Sequence, residues 1–169
     1  MMRYATLDSP LGEMVIRVED DALSGVFFTG QRYFPLLPGT WRETRSSHRL
    51  LDQAVEELSA FFAGERQPFA LPLAARGTPF QQRVWQALSE IPYGEQVSYG
   101  IIAHRLGLAP GAARAVGGAI GRNPLSIVVP CHRVVSRQGK LTGYAGGLTR
   151  KQALLAFEQG EALQQDLAI

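Results

Sequence analysis

Apolar and polar positions alternate with a period of two near the start of the chain. Met14, Ile16 and Val18 alternate with Val15 and Arg17, the pattern of a half-buried strand. An acidic turn, Glu19-Asp20-Asp21, precedes the apolar run Ala22-Leu23-Ser24-Gly25-Val26-Phe27-Phe28, so residues 2–28 read as strands. Gly30, Pro35, Pro38 and Gly39 mark residues 29–45 as a loop. From Ser47 to Ala63 the period changes. Leu50, Leu51, Ala54, Val55, Leu58, Phe61 and Phe62 recur at helical spacing, and Gly64 closes the helix. Residues 65–76 read as extended and linker-like. This half predicts a small α/β lobe with no evident chemistry, in which Tyr4, Asp8 and His48 are structural or solvated.

The second half is more sharply punctuated. Thr78-Pro79-Phe80-Gln81 has the form of a capping box with proline at the first helical position. The helix it opens runs to Glu90 and buries Phe80, Val84, Trp85 and Leu88. Ile91-Pro92-Tyr93-Gly94 is a turn. Ser98 caps a short helix over Tyr99 to Leu106, ended by Gly107, and Pro110 starts another from Gly111 to Gly121, stopped by Asn123-Pro124. Two short helices joined by Gly107-Leu108-Ala109 fit a helix-turn-helix. The second is nearly bare of side chains apart from Arg114, and two uses fit it: close backbone approach to a flat or narrow surface, or tight packing on another helix. Gln138-Gly139-Lys140 is a turn. Leu141 to Gly147 is glycine-rich but lacks phosphate-loop spacing. Thr149-Arg150-Lys151-Gln152 reads as a second capping box, opening a helix with Ala153, Leu154, Leu155 and Phe157 on its apolar side and Glu158 near its end.

Length and charge refine this picture. The chain's 169 residues suffice for one ordinary domain or two small packed lobes, and no apolar run is long enough to span a bilayer. The N-terminus lacks the apolar core of a secretory signal, and a single cysteine makes neither an internal disulfide nor a cysteine-rich zinc site. A reducing cytoplasm is the expected compartment. Net charge is +2, but residues 1–75 carry −3 and residues 76–158 carry +7. The basic half implies either a polyanionic partner or a solvated arginine-rich face.

That half also holds the one cysteine, Cys131, in Ile127-Val128-Val129-Pro130-Cys131-His132-Arg133-Val134-Val135. An adjacent imidazole and guanidinium favour a thiolate, the nucleophilic form. The apolar run predicts a strand that presents the thiol at a pocket floor. The alternative is a small buried hydrophobe.

Pro130-Cys131-His132-Arg133-Val134-Val135, Arg114-Ala115-Val116-Gly117-Gly118-Ala119, Arg122-Asn123-Pro124, Ile91-Pro92-Tyr93-Gly94, Val97-Ser98-Tyr99 and Thr142-Gly143-Tyr144-Ala145-Gly146-Gly147 together resemble the O6-alkylguanine-DNA alkyltransferases, the methylated-DNA–protein-cysteine methyltransferases, in their stand-alone bacterial form. The resemblance is strong from Thr78 to Glu158 and weak before it. It implies a ribonuclease-H-like α/β lobe over residues 1–75, a mostly helical winged helix-turn-helix domain over 76–160 and a loose tail over 161–169. It implies direct-reversal repair: minor-groove binding of duplex DNA carrying O6-alkylguanine (O4-alkylthymine is a second candidate), base flipping, and irreversible transfer of the alkyl group to Cys131, once per molecule. Cys131, His132, Glu158, Asn123 and Tyr99 are then the catalytic set. Arg114, Ala113, Ala115, Gly117, Tyr99 and Ser98 contact DNA, Arg114 filling the gap left by the flipped base. Val134, Tyr144, Ala145, Pro130 and Arg133 line the guanine pocket. Cys131 and His132, as neighbours in an extended chain, point apart and communicate through a water, while Glu158 fixes the tautomer of His132. No cofactor or metal is implied, and the expected state is a monomer that can cluster on DNA. Two rivals predict other behaviour. A cysteine hydrolase would turn over many times on acyl substrates, and a damage-sensing DNA-binding module would keep its binding without the thiol.

Overall fold

The computed structural model describes residues 2–39, 48–138 and 143–163. Three strands, β1 (Met2–Ser9), β2 (Gly12–Glu19) and β3 (Ala22–Phe28), form an antiparallel sheet in the order β1-β2-β3. Helix α1 (Arg49–Phe62) packs on it through Leu50, Leu51, Ala54, Leu58 and Phe61, the residues whose spacing predicts the helix. His48 caps α1, its Nδ1 accepting from the Leu50 N–H at 3.2 Å, and Gly64 closes it at φ 91°. Ser47, the expected start, lies outside the described residues. So do Gly139–Thr142, which carry most of the expected Gln138–Lys140 turn and the start of the glycine-rich loop, and most of the tail, 164–169.

The second half is helical: α2 (Pro79–Ser89), α3 (Tyr99–Arg105), α4 (Ala113–Gly121) and α5 (Leu148–Glu158), with a parallel pair of short strands, β4 (Val97–Ser98) and β5 (Val134–Val135). The capping box at Thr78 and Gln81 forms in both directions. Of the apolar residues expected inside α2, Phe80 is only half-buried, because it sits in the first turn, at the edge of the contact. The helix expected from Gly111 begins as a 3-10 turn over Pro110–Ala112, and α4 proper starts at Ala113. The capping box expected at Thr149 does not form. Gly147, at φ 95°, takes the N-cap position, so α5 starts earlier and Thr149 lies inside its first turn.

Two segments outside the sheet close its β3 edge. The 65–76 segment is pinned rather than a free linker: the Leu23 N–H donates to Pro72 O and the Ala74 N–H to Leu23 O, both at 2.8 Å. Further along, the Val26 N–H donates to Pro124 O at 2.8 Å and the Ser126 N–H to Val26 O at 3.1 Å. An unpaired edge is thereby satisfied, and the stretch leading to the cysteine is anchored on the first half. A continuous core runs from Met14, Ile16 and Phe28 through Leu58 to Leu88, Ile102, Val134 and Leu154. No helix among the described residues is long and apolar enough to cross a membrane.

Candidate active site

The run Ile127-Val128-Val129 is not the expected strand. The Val128 N–H donates to Ser126 O at 2.8 Å, closing a three-residue turn around Ile127, whose φ is 72°. A β-branched residue at positive φ is strained, and the 1 % exposure of Ile127 holds it there through packing. A second three-residue turn follows at Pro130 (φ −80°, ψ 64°), with the Cys131 N–H on Val129 O at 2.8 Å. Cys131–Arg133 then form one turn of 3-10 helix. Cys131 and His132 therefore diverge because a three-residue-per-turn helix splays neighbours by about 120°, not because the chain is extended.

Asn123 braces this path. Its side-chain oxygen accepts from the Leu125 N–H at 3.0 Å, and its amide donates to Val129 O at 2.9 Å. Cys131 is 5 % exposed. Burial pushes its thiol pKa up, countered by hydrogen bonding from Asn123 and by the positive charge of Lys151. The guanidinium expected to activate the thiol points elsewhere. Arg133 donates from Nε to Glu158 Oε1 at 2.9 Å, from one terminal nitrogen to Oε2 at 2.7 Å, and from the other to Ile91 O at 2.7 Å. The cation beside the thiol is Lys151, fully buried at the start of α5, whose Nζ donates to Val134 O at 2.6 Å and whose pKa burial lowers to about 8.

His132 is fully buried, with Nε2 2.8 Å from Glu158 Oε2. Burial lowers its pKa, against the pull of Glu158, so the ring is neutral at pH 7. Burial alone would raise the Glu158 pKa, but hydrogen bonds from His132 and Arg133, together with the Arg133 charge, bring it to about 2. An ionised Glu158 accepts, so His132 carries its proton on Nε2. Nδ1 is left as a lone pair with no hydrogen-bond partner among the described residues. The arrangement is a proton acceptor of fixed tautomer, one residue from a thiol.

The remaining expected residues fall into three groups. Tyr99, Ala113, Arg114, Gly117, Tyr144 and Ala145 share the wall of an open cavity of about 710 Å³, and Arg32 and Tyr33 complete it from the first half. Arg114 and Ala115 are exposed on α4. Gly117 is half-buried, and a Cβ there would stand 3.7 Å from the Tyr99 ring, so packing and exposure share this helix. Ser98 caps α3, its hydroxyl accepting from the Ile101 N–H at 3.2 Å. Pro130 and Arg133 lie instead on a separate cavity of about 310 Å³, with Phe61, Phe69 and Tyr93, because the 3-10 turn faces them away from Tyr144. Val134 is fully buried in the core. Among the described residues these three are not in the lining of the cavity of about 710 Å³ that holds Tyr144 and Ala145. Tyr144 links cavity and thiol: burial and the neighbouring Cys131 push the pKa of its buried hydroxyl well up, against a hydrogen-bonding contribution from Ser126.

Lys151 is the residue that sequence reasoning missed, yet a signal exists. Lys151, Leu154, Leu155 and Glu158 are the buried residues of α5, at the i, i+3, i+4, i+7 spacing of an apolar stripe. A lysine and a glutamate in that stripe are buried charges that need partners. Among the described residues no three His, Cys, Asp or Glu side chains gather to hold a metal ion.

Comparison with known proteins follows the same division. The 6-O-methylguanine DNA methyltransferase DNA binding domain matches residues 79–160, and the ribonuclease-like domain of the same enzymes matches residues 2–75. A methylated-DNA–protein-cysteine methyltransferase of Mycolicibacterium paratuberculosis is 53% identical over 94% of this chain and 93% of its own. The constitutive one of Bacillus subtilis is 46% identical, covering 92% and 93%. The crystal structure of Mycobacterium tuberculosis OGT in complex with DNA is similar at a TM-score of 0.85, with 46% identity and 98% of each chain covered.

Proposed function

The chain belongs to the 6-O-methylguanine DNA methyltransferase family and is a DNA-repair transferase, and on that premise we propose that Cys131 accepts the alkyl group of O6-alkylguanine in duplex DNA once per molecule. The observation that carries this is His132: tied through Nε2 to Glu158 at 2.8 Å, with Nδ1 unpartnered among the described residues, and next in the chain to its only cysteine. Residues 76–160 bind and react, and residues 1–75 brace them. The damaged nucleotide leaves the duplex stack for the cavity between α4 and the Tyr144 loop. Arg114, exposed on α4, takes the vacated space, and the small residues around it allow close minor-groove approach. Tyr99 donates a hydrogen bond to the purine.

The Cys131 proton passes to His132 Nδ1 through a bridging water, and Glu158 steadies the imidazolium as it forms. The sulfur lone pair attacks the alkyl carbon in line. A C–S bond forms, the bond from that carbon to guanine O6 breaks with its electron pair on the guanine, and a proton returns to the base. Lys151 stabilises the transient thiolate. A thioether has no easy reversal, so each molecule reacts once.

Intact-protein mass after incubation with excess duplex containing O6-methylguanine tests this. The expected result is a gain of one methyl group that saturates and maps to the Cys131 peptide, absent in Cys131→Ala. No gain, or a gain in Cys131→Ala, overturns the assignment. Repeated turnover on acyl substrates would favour a hydrolase instead.

A further inference from the structure

The half of the molecule with no expected chemistry contributes one wall of the cavity, through Arg32 and Tyr33. The segment is held in place by its backbone: the Arg32 N–H donates to Ala145 O at 3.0 Å. Tyr33 sits at φ 61°, a left-handed conformation that is uncommon for a bulky residue. The residue is 46% exposed. Two guanidiniums lie over that one ring. The Cζ of Arg32 is 4.9 Å from its centroid, and the Cζ of Arg122 is 4.5 Å away. Arg122 is the C-cap residue of α4, so the aromatic ring joins a cation of the first half to the end of the helix that carries Arg114.

Two like charges beside one ring repel, and the negative face of the ring offsets that repulsion. Neither guanidinium has a carboxylate partner among the described residues, and both side chains are exposed. Paired, exposed, unneutralised guanidiniums present fork-shaped donors to an anion, and the fork matches a phosphate. Arg32 lines the cavity, and Arg122 follows the lining residue Gly121 at the end of α4; two exposed cations beside the cavity suit the phosphodiester backbone next to an extruded nucleotide.

We propose that Arg32 and Arg122, carried on the Tyr33 ring, form a phosphate clamp, so that the N-terminal half takes part directly in DNA binding. This rests on the DNA-binding role given above. Arg32 and Arg122 supply the charge, and Tyr33 is a positioning residue.

The test is duplex affinity across a salt series for the full chain, with melting temperature recorded for each variant. Wild-type affinity falls linearly in log–log form, with a slope set by the number of phosphates neutralised. Arg32→Gln and Arg122→Gln each reduce that slope by about one, and the double variant by about two. Arg→Lys at both sites keeps the slope, since the charge remains. Tyr33→Ala weakens binding severalfold, and Tyr33→Phe restores it, because the ring and not the hydroxyl carries the cations. A double Gln variant with the wild-type slope, or a Tyr33→Ala variant with wild-type affinity, overturns the clamp while leaving alkyl transfer to Cys131 standing. A wild-type protein that binds no duplex at any salt overturns both.

Discussion

Glu158 is the residue on which the site turns. One buried carboxylate receives three donors, two from Arg133 and one from His132, so it is ionised, neutralised and directional at once. Its pKa is about 2 against an ordinary 4.5. A lowered carboxylate pKa stabilises the fold fully above the ordinary value, and that contribution is lost as pH falls from about 4.5 toward 2. Acid unfolding of the wild type is therefore expected to have a component in that window which Glu158→Gln lacks, measured as melting temperature against pH. At pH 7 the same variant leaves the Arg133 charge buried and uncompensated and is expected to lose about 3–5 kcal/mol of stability. An unchanged acid profile in Glu158→Gln would place the titration elsewhere. Lys151 shows the opposite arrangement: a buried cation whose pKa is lowered to about 8 keeps its charge beside the thiol at neutral pH and loses it above that value.

Helix α4 shows how an element can trade stability for contact. Val116, Ala119 and Ile120 bury its inner face, and the Trp85 indole donates to Ala119 O at 2.8 Å. On the outer face Gly118 is exposed, with open space where a Cβ would stand. A glycine in a helix interior costs roughly 0.5–1 kcal/mol relative to alanine. Gly118→Ala is expected to raise stability by about that amount in thermal unfolding and to weaken duplex binding, because the added methyl holds the backbone off the groove. A variant that gains stability and binds as well as the wild type would show that the bare face serves folding alone. The turn around Ile127 is strained in the other direction: positive φ at a β-branched residue persists because Ile127 and its neighbours are buried and Asn123 bonds the backbone on either side.

Across the whole molecule, the two halves share an edge and a core. β3 carries both the 65–76 segment and the approach to Cys131. Arg150 ties α5 back to the start of β2, donating from Nε to Leu11 O at 2.8 Å and lying 4.5 Å from the Phe28 ring. A core continuous across both halves predicts one cooperative unfolding transition. Far-ultraviolet circular dichroism and tryptophan fluorescence should give coincident midpoints. Two separated midpoints would mean that the halves unfold independently and that the β3 edge contributes little to holding the active-site segment.

Local pattern determines much of this protein. Periodicity places β1–β3 and α1, capping chemistry sets the start of α2, and glycine and proline bound α3 and α4, because each depends on residues a few positions apart. The lone cysteine beside histidine, and the later glutamate, name the reactive groups. What tertiary packing decides is where charge goes. Arg133 lies two residues after Cys131 in the chain yet serves Glu158, while Lys151, twenty residues away, serves the thiol. The active-site run is apolar and β-branched, the composition of a strand, but burial against β3 and bonds from Asn123 force it through two tight turns into a 3-10 helix. Thr149 has the residues of a helix cap, and Gly147 displaces it because only its backbone readily adopts the required angle. Side-chain direction and long-range pairing depend on partners that are distant in sequence, and no local pattern encodes them.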